Sequence, residues 1–425
     1  MRLIKNFDQL VSNPKRKIVL EIIEEGLYSI QPEKIVQKNF SIINGVLKVQ
    51  DKALNLDDFQ RIFVLGFGKG SAAICKHTEK MLGDFLTKGY VIDTEQEKFT
   101  RIEFTQGTHP LPSNKNLLFT KKVLSDLSKL TINDLVIIVI AGGGSALFEN
   151  PYKISLEKLV EVNKSLLKSG ANIREMNLVR KHLSKVKGGG LTKHLYPAKI
   201  VSIIASDVPG NYLSVIASGP TVKDDTTIDD AQSVLTKYNL IDSLNLSRDD
   251  FIETPKDDKY FAKVSNILIL SNKTALLAME QKAKSLGYNA SIYSDKFQGE
   301  AKLIGKTLIK KTPHHTILLV GGETTVKVAA QGEGGRNQEV VLGALPYLSN
   351  NTLIASLDSD GWDNSSFAGA IGDTQTQEKA KKLNLDPQEF LESNNSFSFF
   401  EKVKDGIVTG RLPSNVSDLM IVIRK

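Results

Sequence analysis

The chain reads as a two-domain α/β protein, and three observations predict that fold class. It has 425 residues, more than one hydrophobic core usually fills. Short apolar, β-branched runs bounded by glycine alternate with helical segments, the pattern of buried strands in an α/β sheet. A polar stretch at 247–259, with Arg248-Asp249-Asp250 and Pro255-Lys256-Asp257-Asp258-Lys259, interrupts the alternation before it begins again. Two α/β domains, 1–250 and 260–425, follow from that interruption, the first with a mainly parallel sheet.

Taken in order, Asn13-Pro14 reads as an N-cap with proline in the first turn, opening a helix through Leu20, Ile23 and Leu27. Pro32 starts another. Strand runs follow at 62–65 and 90–92 with a helix at 71–82 between them, then at 136–140 and 200–205. Beyond the polar stretch come a strand at 267–270, a helix ending near 286, strands at 317–320 and 353–357, and a last strand at 419–423. Two of these strands run straight into glycines, at Ala141-Gly142-Gly143-Gly144-Ser145 and at Val320-Gly321-Gly322-Glu323. Open α/β sheets place ligands at such carboxyl ends.

Composition narrows the partners. Lys and Arg number 55 against 48 Asp and Glu, a net charge of +7 that favours anionic ligands. The charges are scattered and aromatics make up only 7%, so neither a basic stripe nor a base-stacking platform for nucleic acid is readable. A small anion fits better. The single cysteine, Cys75, cannot form an internal disulfide, which agrees with a reducing cytoplasm. The first residues lack the apolar core of a signal peptide, and the run at 135–141 is too short to span a bilayer. A cytoplasmic protein without membrane contact is expected; a homodimer is compatible with the sequence but not required by it.

Several loops carry chemistry-bearing residues. Gly332-Glu333-Gly334-Gly335-Arg336-Asn337-Gln338-Glu339 sets one guanidinium among glycines before a helix, an arrangement suited to a phosphate. Gly66-Phe67-Gly68-Lys69-Gly70-Ser71 joins a strand to a helix and is similar to a dinucleotide fingerprint, with Asp93 about where a ribose-binding acid would sit. Lys69 there could instead neutralise a carboxylate or a transferring phosphoryl group. Backbone amides from Gly143 to Ala146, including Gly144 and Ser145, could cup an anion, or the segment is a flexible turn. Arg180 is the member of its basic helix best suited to pair with a carboxylate. Asp207 could take a hydroxyl proton or act as an Asx-turn residue. Asp358, Asp360 and Asp363 crowd one strand end, where clustered carboxylates suggest a divalent metal or, equally, a solvated loop. No histidine spacing suits zinc.

In order and spacing these loops resemble the class II glycerate 2-kinase family, whose C-terminal part is the MOFRL domain. The matching pieces are Gly66-x-Gly68-Lys69-Gly70, His109-Pro110, Gly142-Gly143-Gly144-Ser145-Ala146-Leu147 and Arg180-Lys181-His182-Leu183-Ser184. They continue with Ser206-Asp207-Val208-Pro209-Gly210, Ser218-Gly219-Pro220-Thr221, Gly321-Gly322-Glu323, Gly334-Gly335-Arg336-Asn337-Gln338-Glu339 and Asp360-Gly361-x-Asp363. The resemblance implies a Rossmann-like N-terminal domain and transfer of the γ-phosphoryl of ATP to the 2-hydroxyl of D-glycerate, with magnesium, in an interdomain cleft.

Carried onto this chain, the resemblance makes Lys69, Asp207 and Arg336 catalytic, and gives Gly143, Gly144, Ser145 and Arg180 to the substrate. Nucleotide contacts are expected from Gly66, Gly68, Ser218, Gly219, Gly321, Gly322, Glu323, Gly334, Gly335, Asn337 and Asn415, and metal contacts from Asp360 and Asp363. Two segments depart from the family pattern. Asn364 replaces a glycine, and Gly410-Arg411-Leu412-Pro413-Ser414-Asn415-Val416 stands where the family has Gly-Pro-Thr-Gly-Thr-Asn-Val. A nicotinamide-dependent hydroxypyruvate reductase and a non-catalytic sensor of a phosphorylated sugar acid are the competing expectations.

Overall fold

Apolar runs that bury both faces need cover on both sides, and the chain supplies it by alternating strands with helices. The computed structural model, which describes residues 2–425, folds them into two units: Ile35–Ile269, and Met1–Lys34 together with Leu270–Lys425.

The Ile35–Ile269 unit begins with a small antiparallel sheet of β1 (Phe40–Ile43), β2 (Val46–Val49) and β3 (Lys52–Asn55). Asn44 and Gly45 turn its first hairpin at φ of 51° and 75°, the left-handed pair that an Asn-Gly turn accepts. The main sheet contains β4 (Arg61–Phe67), β5 (Lys88–Asp93), β6 (Ile102–Gln106), β7 (Asp134–Ile140), β8 (Lys199–Ala205) and β9 (Val264–Leu270). Their order is β6-β5-β4-β7-β8-β9, with β4 to β8 paired in parallel. That is the Rossmann-like order expected of this domain. The chain leaves β4 toward one edge and returns at β7 toward the other, so the loops after β4 and β7 flank a topological switch point. Every residue of β7 is buried, and Leu65, Ile138, Phe148, Leu191 and Ile204 share one core.

The second unit has a mixed sheet of β10 (Asn289–Glu300), β11 (Thr316–Thr325), β12 (Thr352–Asp358), β13 (Gly369–Gly372), β14 (Gly406–Ile407) and β15 (Asp418–Arg424). Their order is β10-β11-β15-β12-β13-β14. β10 and β11 are parallel, whereas the last strand inserts between β11 and β12 antiparallel to both. Its apolar run reflects a central position buried on both faces, independent of strand direction.

The expected boundaries are corrected at both ends. The N-terminal segment belongs with the C-terminal unit, because helix Pro14–Ser29 packs along helix Asn272–Ser285, where Gly26 leaves room for the Met279 side chain. Arg16 from the same helix is fully buried between Asp373 and Asp405. The run at 267–270, expected to open the second domain, instead lies in β9 and adds an edge strand beside β8. The polar stretch at 247–259 is therefore a loop inside the first unit.

Candidate functional site

The strand-end loops of the Ile35–Ile269 unit converge on one cluster. Lys69 follows β4, and its N–H donates to the Gly142 carbonyl after β7 at 2.7 Å. Ala141 N–H returns a bond to the Phe67 carbonyl at 3.0 Å, so the two loops are tied at the switch point. Gly68, at φ 113°, allows this approach, because a side chain there would strike the Ala141 backbone. Asp207 follows β8 and lays its carboxylate directly against Gly142, while the His109 ring lies against Gly143. Ser145 Oγ is 2.9 Å from Ser218 Oγ, which donates to Asn177 Oδ1 at 2.8 Å. Thus Lys69, Asp207, Gly143, Gly144, Ser145, Ser218 and Gly219 share one neighbourhood. Ala217, Ser218 and Gly219 all sit at left-handed φ, a concentration of backbone strain of the kind found at binding sites.

Asn177 and Arg180 lie one turn apart on helix Ile173–His182, so the Ser218 bond brings this helix to the cluster. Arg180 donates through Nε to the neutral Asn163 Oδ1 at 2.7 Å. Burial lowers its pKa, with Glu149 opposing. Glu149 itself is buried against Lys187 and accepts the Ser184 hydroxyl at 2.5 Å. His109 is pushed down to about 4 by burial and then by Lys69, so it is neutral at physiological pH.

Three expectations in this unit are corrected. The anion cup at 143–146 is smaller than expected, because Gly144 and Ala146 N–H groups bond to the Ala141 and Gly143 carbonyls. Gly66 packs against Cys75 and Val91 inside the sheet–helix core, and Gly68 serves the approach of the β4 and β7 loops. Packing alone accounts for a glycine at each of these two positions. Asp93 is buried at the start of helix Ser71–Leu82, where Oδ2 accepts Ala72 N–H at 2.9 Å and Oδ1 accepts Thr94 N–H at 2.6 Å. Burial pushes its carboxyl up to about 6 against those donors. The fingerprint reading thereby loses its ribose acid.

The closeness of Gly142 to Asp207 gives a direct test. In Gly142→Ala the new methyl group would displace the carboxylate, the mobile end of a side chain, without touching the strands. Misplacing a reacting group by ~1 Å costs about 10²-fold in rate. Were Asp207 to act on the substrate, kcat would fall by that order with an unchanged melting curve, read by steady-state kinetics and circular dichroism; retained turnover would contradict that role.

The Leu270–Lys425 part of the second unit gathers a different set. Helix Arg336–Ala344 begins where the glycine loop predicts, with Gly335 as its N-cap. Its amino end, expected to seat a phosphate, is occupied by the chain's own Asp363. That carboxylate accepts Asn337 N–H at 3.0 Å and Gln338 N–H at 2.8 Å, and burial pushes it up to about 6 against those donors. Arg336 does not present a bare cation. It donates to Asp418 Oδ1 at 2.8 Å, Glu323 Oε1 at 3.0 Å and Asp358 Oδ2 at 3.0 Å, using three of the five donors a guanidinium carries. Burial opposes its charge, but Asp418, Asp358 and Glu323 together raise its pKa. Burial, then Asp360 and Asp418, push the Asp358 carboxyl well up against Arg336.

Asn337 is buried and bonds Asp418 through Nδ2 at 2.8 Å, so it is structural rather than open to a nucleotide. Gly321 and Gly322 lie inside β11, packed against Asn272 and the Phe297 backbone. Asn415 accepts Ser417 N–H at 2.8 Å in a turn before β15. Gly334, Gly335, Glu323 and Arg336 do border a cavity of ≈ 490 Å³, together with Asp358 and Trp362. Asp418, the hub of these contacts, and Trp362 were not singled out by the sequence; an acid opening the last apolar strand was the available signal for the first.

The expected magnesium pair is not assembled. Asp363 is committed to the helix end and Asp360 Oδ1 accepts Trp362 N–H at 2.9 Å. Among the described residues, no group of three or more His, Cys, Asp or Glu side chains is arranged to hold a metal ion. No helix among them is long and apolar enough to cross a membrane.

Comparison with known proteins adds independent findings. Residues 18–253 match a domain of unknown function, DUF4147, and residues 316–418 match the MOFRL family. A glycerate 2-kinase of Pyrococcus horikoshii is 36% identical, covering 96% of this chain and 97% of its own length. A putative hydroxypyruvate reductase of Agrobacterium vitis is 34% identical over 85% of this chain and 87% of its own length. The crystal structure of a glycerate kinase from Thermotoga maritima superposes with a TM-score of 0.86 at 32% identity, covering 96% of this chain and 99% of that one.

Proposed function

Because this chain belongs to the class II, MOFRL-domain glycerate 2-kinase family, we propose that it transfers the γ-phosphoryl group of ATP to the 2-hydroxyl of D-glycerate, giving 2-phospho-D-glycerate and ADP. The observation that carries the residue-level reading is the cluster at the carboxyl ends of β4, β7 and β8. It offers a cation, a carboxylate, two coupled hydroxyls and a half-buried guanidinium in one unit.

D-Glycerate supplies a matching set: one carboxylate and two hydroxyl groups. Arg180, whose Nε partner is neutral, takes the carboxylate, and Ser145 with Ser218 orients the hydroxyls. Asp207 accepts the proton as the 2-oxygen forms its bond to the γ-phosphorus and the bond to the β-phosphate oxygen breaks, releasing ADP. Lys69 neutralises charge on the group in transfer. Such chemistry asks mainly for positioning and electrostatic stabilisation, which backbone-pinned loops deliver without a Walker-type loop. Arg336 enters as the organiser of Glu323, Asp358 and Asp418.

ADP release with ATP and D-glycerate, compared with loss of nicotinamide absorbance with hydroxypyruvate and NADH, tests the reading. We expect the first signal. The second without the first would overturn the kinase and favour a reductase, although Asp93 is spent on capping.

A further inference from the structure

The two segments that depart from the family pattern pack on each other. Leu412 N–H donates to the Asp360 carbonyl at 2.8 Å, and Gly361 lies against the Gly410 carbonyl. The Arg411 guanidinium stands 4.2 Å from the centroid of the Trp362 ring, with Asp360 Oδ2 at 3.9 Å. Trp362 is the only tryptophan of the chain, and it remains 41% exposed. Trp362 borders the ≈ 490 Å³ cavity, which Arg411 does not line. One face of the ring is therefore backed by a cation, and the residue stands at a hollow of mixed polar and apolar lining.

The other walls of that hollow decide what the ring would meet. Glu323, Asp358 and Asp363 border it, and the one guanidinium there is already shared among Glu323, Asp358 and Asp418. With its one cation already shared among three carboxylates, this lining offers phosphate oxygens little attraction. It suits an uncharged flat ring carrying hydroxyls that donate to carboxylates, and base-on-aromatic stacking is worth about 1–3 kcal/mol.

We propose that Trp362, backed by Arg411, is the stacking platform for the base of the nucleotide substrate, with Glu323 at the cavity wall taking a ribose hydroxyl. The assignment rests on the kinase reading for the identity of that nucleotide, and it makes the two divergent segments one recognition device.

The single tryptophan supplies the test on the full-length protein. Adenosine and ATP should each change the emission saturably, whereas inorganic triphosphate should not. Trp362→Ala should raise KM for ATP about tenfold and leave KM for D-glycerate within about twofold, with Trp362→Phe restoring most of the loss. Unchanged emission on adding adenosine or ATP, in a protein that still phosphorylates glycerate, would overturn the platform and leave the kinase standing. An equal rise in both KM values in Trp362→Ala would also overturn it. Saturable quenching by adenosine in a protein that forms no phosphoglycerate would support the platform and count against the kinase.

Discussion

Lys69→Ala is expected to lower kcat for phosphoryl transfer about 10³-fold while leaving the melting curve unchanged. The backbone of residue 69 is held by its own N–H to the Gly142 carbonyl, a bond that alanine keeps. The strand pairing of β4 with β7 ends at Phe67 and Ile140 and does not involve the lysine side chain. What disappears is the positive charge at the switch point, beside His109, whose lowered pKa already registers that charge after the effect of burial. His109 cannot substitute for it, being neutral above about pH 4. Steady-state kinetics with saturating ATP and D-glycerate would read the loss. Turnover within about threefold of the parent would show that Lys69 does not meet the transferring group.

Arg16→Ala is expected to destabilise the unit formed by Met1–Lys34 and Leu270–Lys425 by about 3–5 kcal/mol, the cost of leaving buried carboxylates without their cation. Arg16 Nε and NH2 donate to both oxygens of Asp373 at 2.9 and 2.8 Å, and NH1 donates to Asp405 at 2.6 Å. NH2 also reaches Thr376 at 2.8 Å. The pairing holds the Asp373 carboxyl down to about 2, overcoming the burial that would raise it. The sign of the pH dependence follows: the Asp373 contribution is present above its unfolded value and is lost as pH falls through about 2. Calorimetry at neutral pH should show the corresponding transition lowered by ~10 °C. An unmoved transition would contradict the claim that the N-terminal helix is fastened into this unit.

That helix also shows what a local reading of the chain could and could not reach. Asn13-Pro14 announced the helix, and Asn13 does cap it by accepting Arg16 N–H. Nothing near it in sequence announced partners at Asp373 and Asp405, because a buried ion pair between segments so far apart has no local signature. The strands of the first sheet were legible because burial on both faces makes them continuously apolar. The direction of β15 was not, since the same composition serves a parallel or an antiparallel central strand. The Asn44-Gly45 hairpin, by contrast, carries its local signature in the dipeptide itself.

Within the candidate site, glycine loops located Lys69, Ser145 and Asp207 correctly at strand ends, where sheet topology brings them together. The same loops also include positions where packing alone accounts for the glycine. Gly66 accommodates Cys75, and the helix end at Arg336 is filled by Asp363, an acid 27 residues away that its clustering with other carboxylates assigned to a metal. Sequence marks where a backbone comes close to something; only coordinates say whether that is ligand or protein.

The reaction itself is the central claim, and its product is the most direct reading. Phosphorus NMR of the full-length protein incubated with ATP and D-glycerate should show 2-phosphoglycerate growing in step with ADP. Accumulation of 3-phosphoglycerate, or of no phosphorylated glycerate at all, would contradict it.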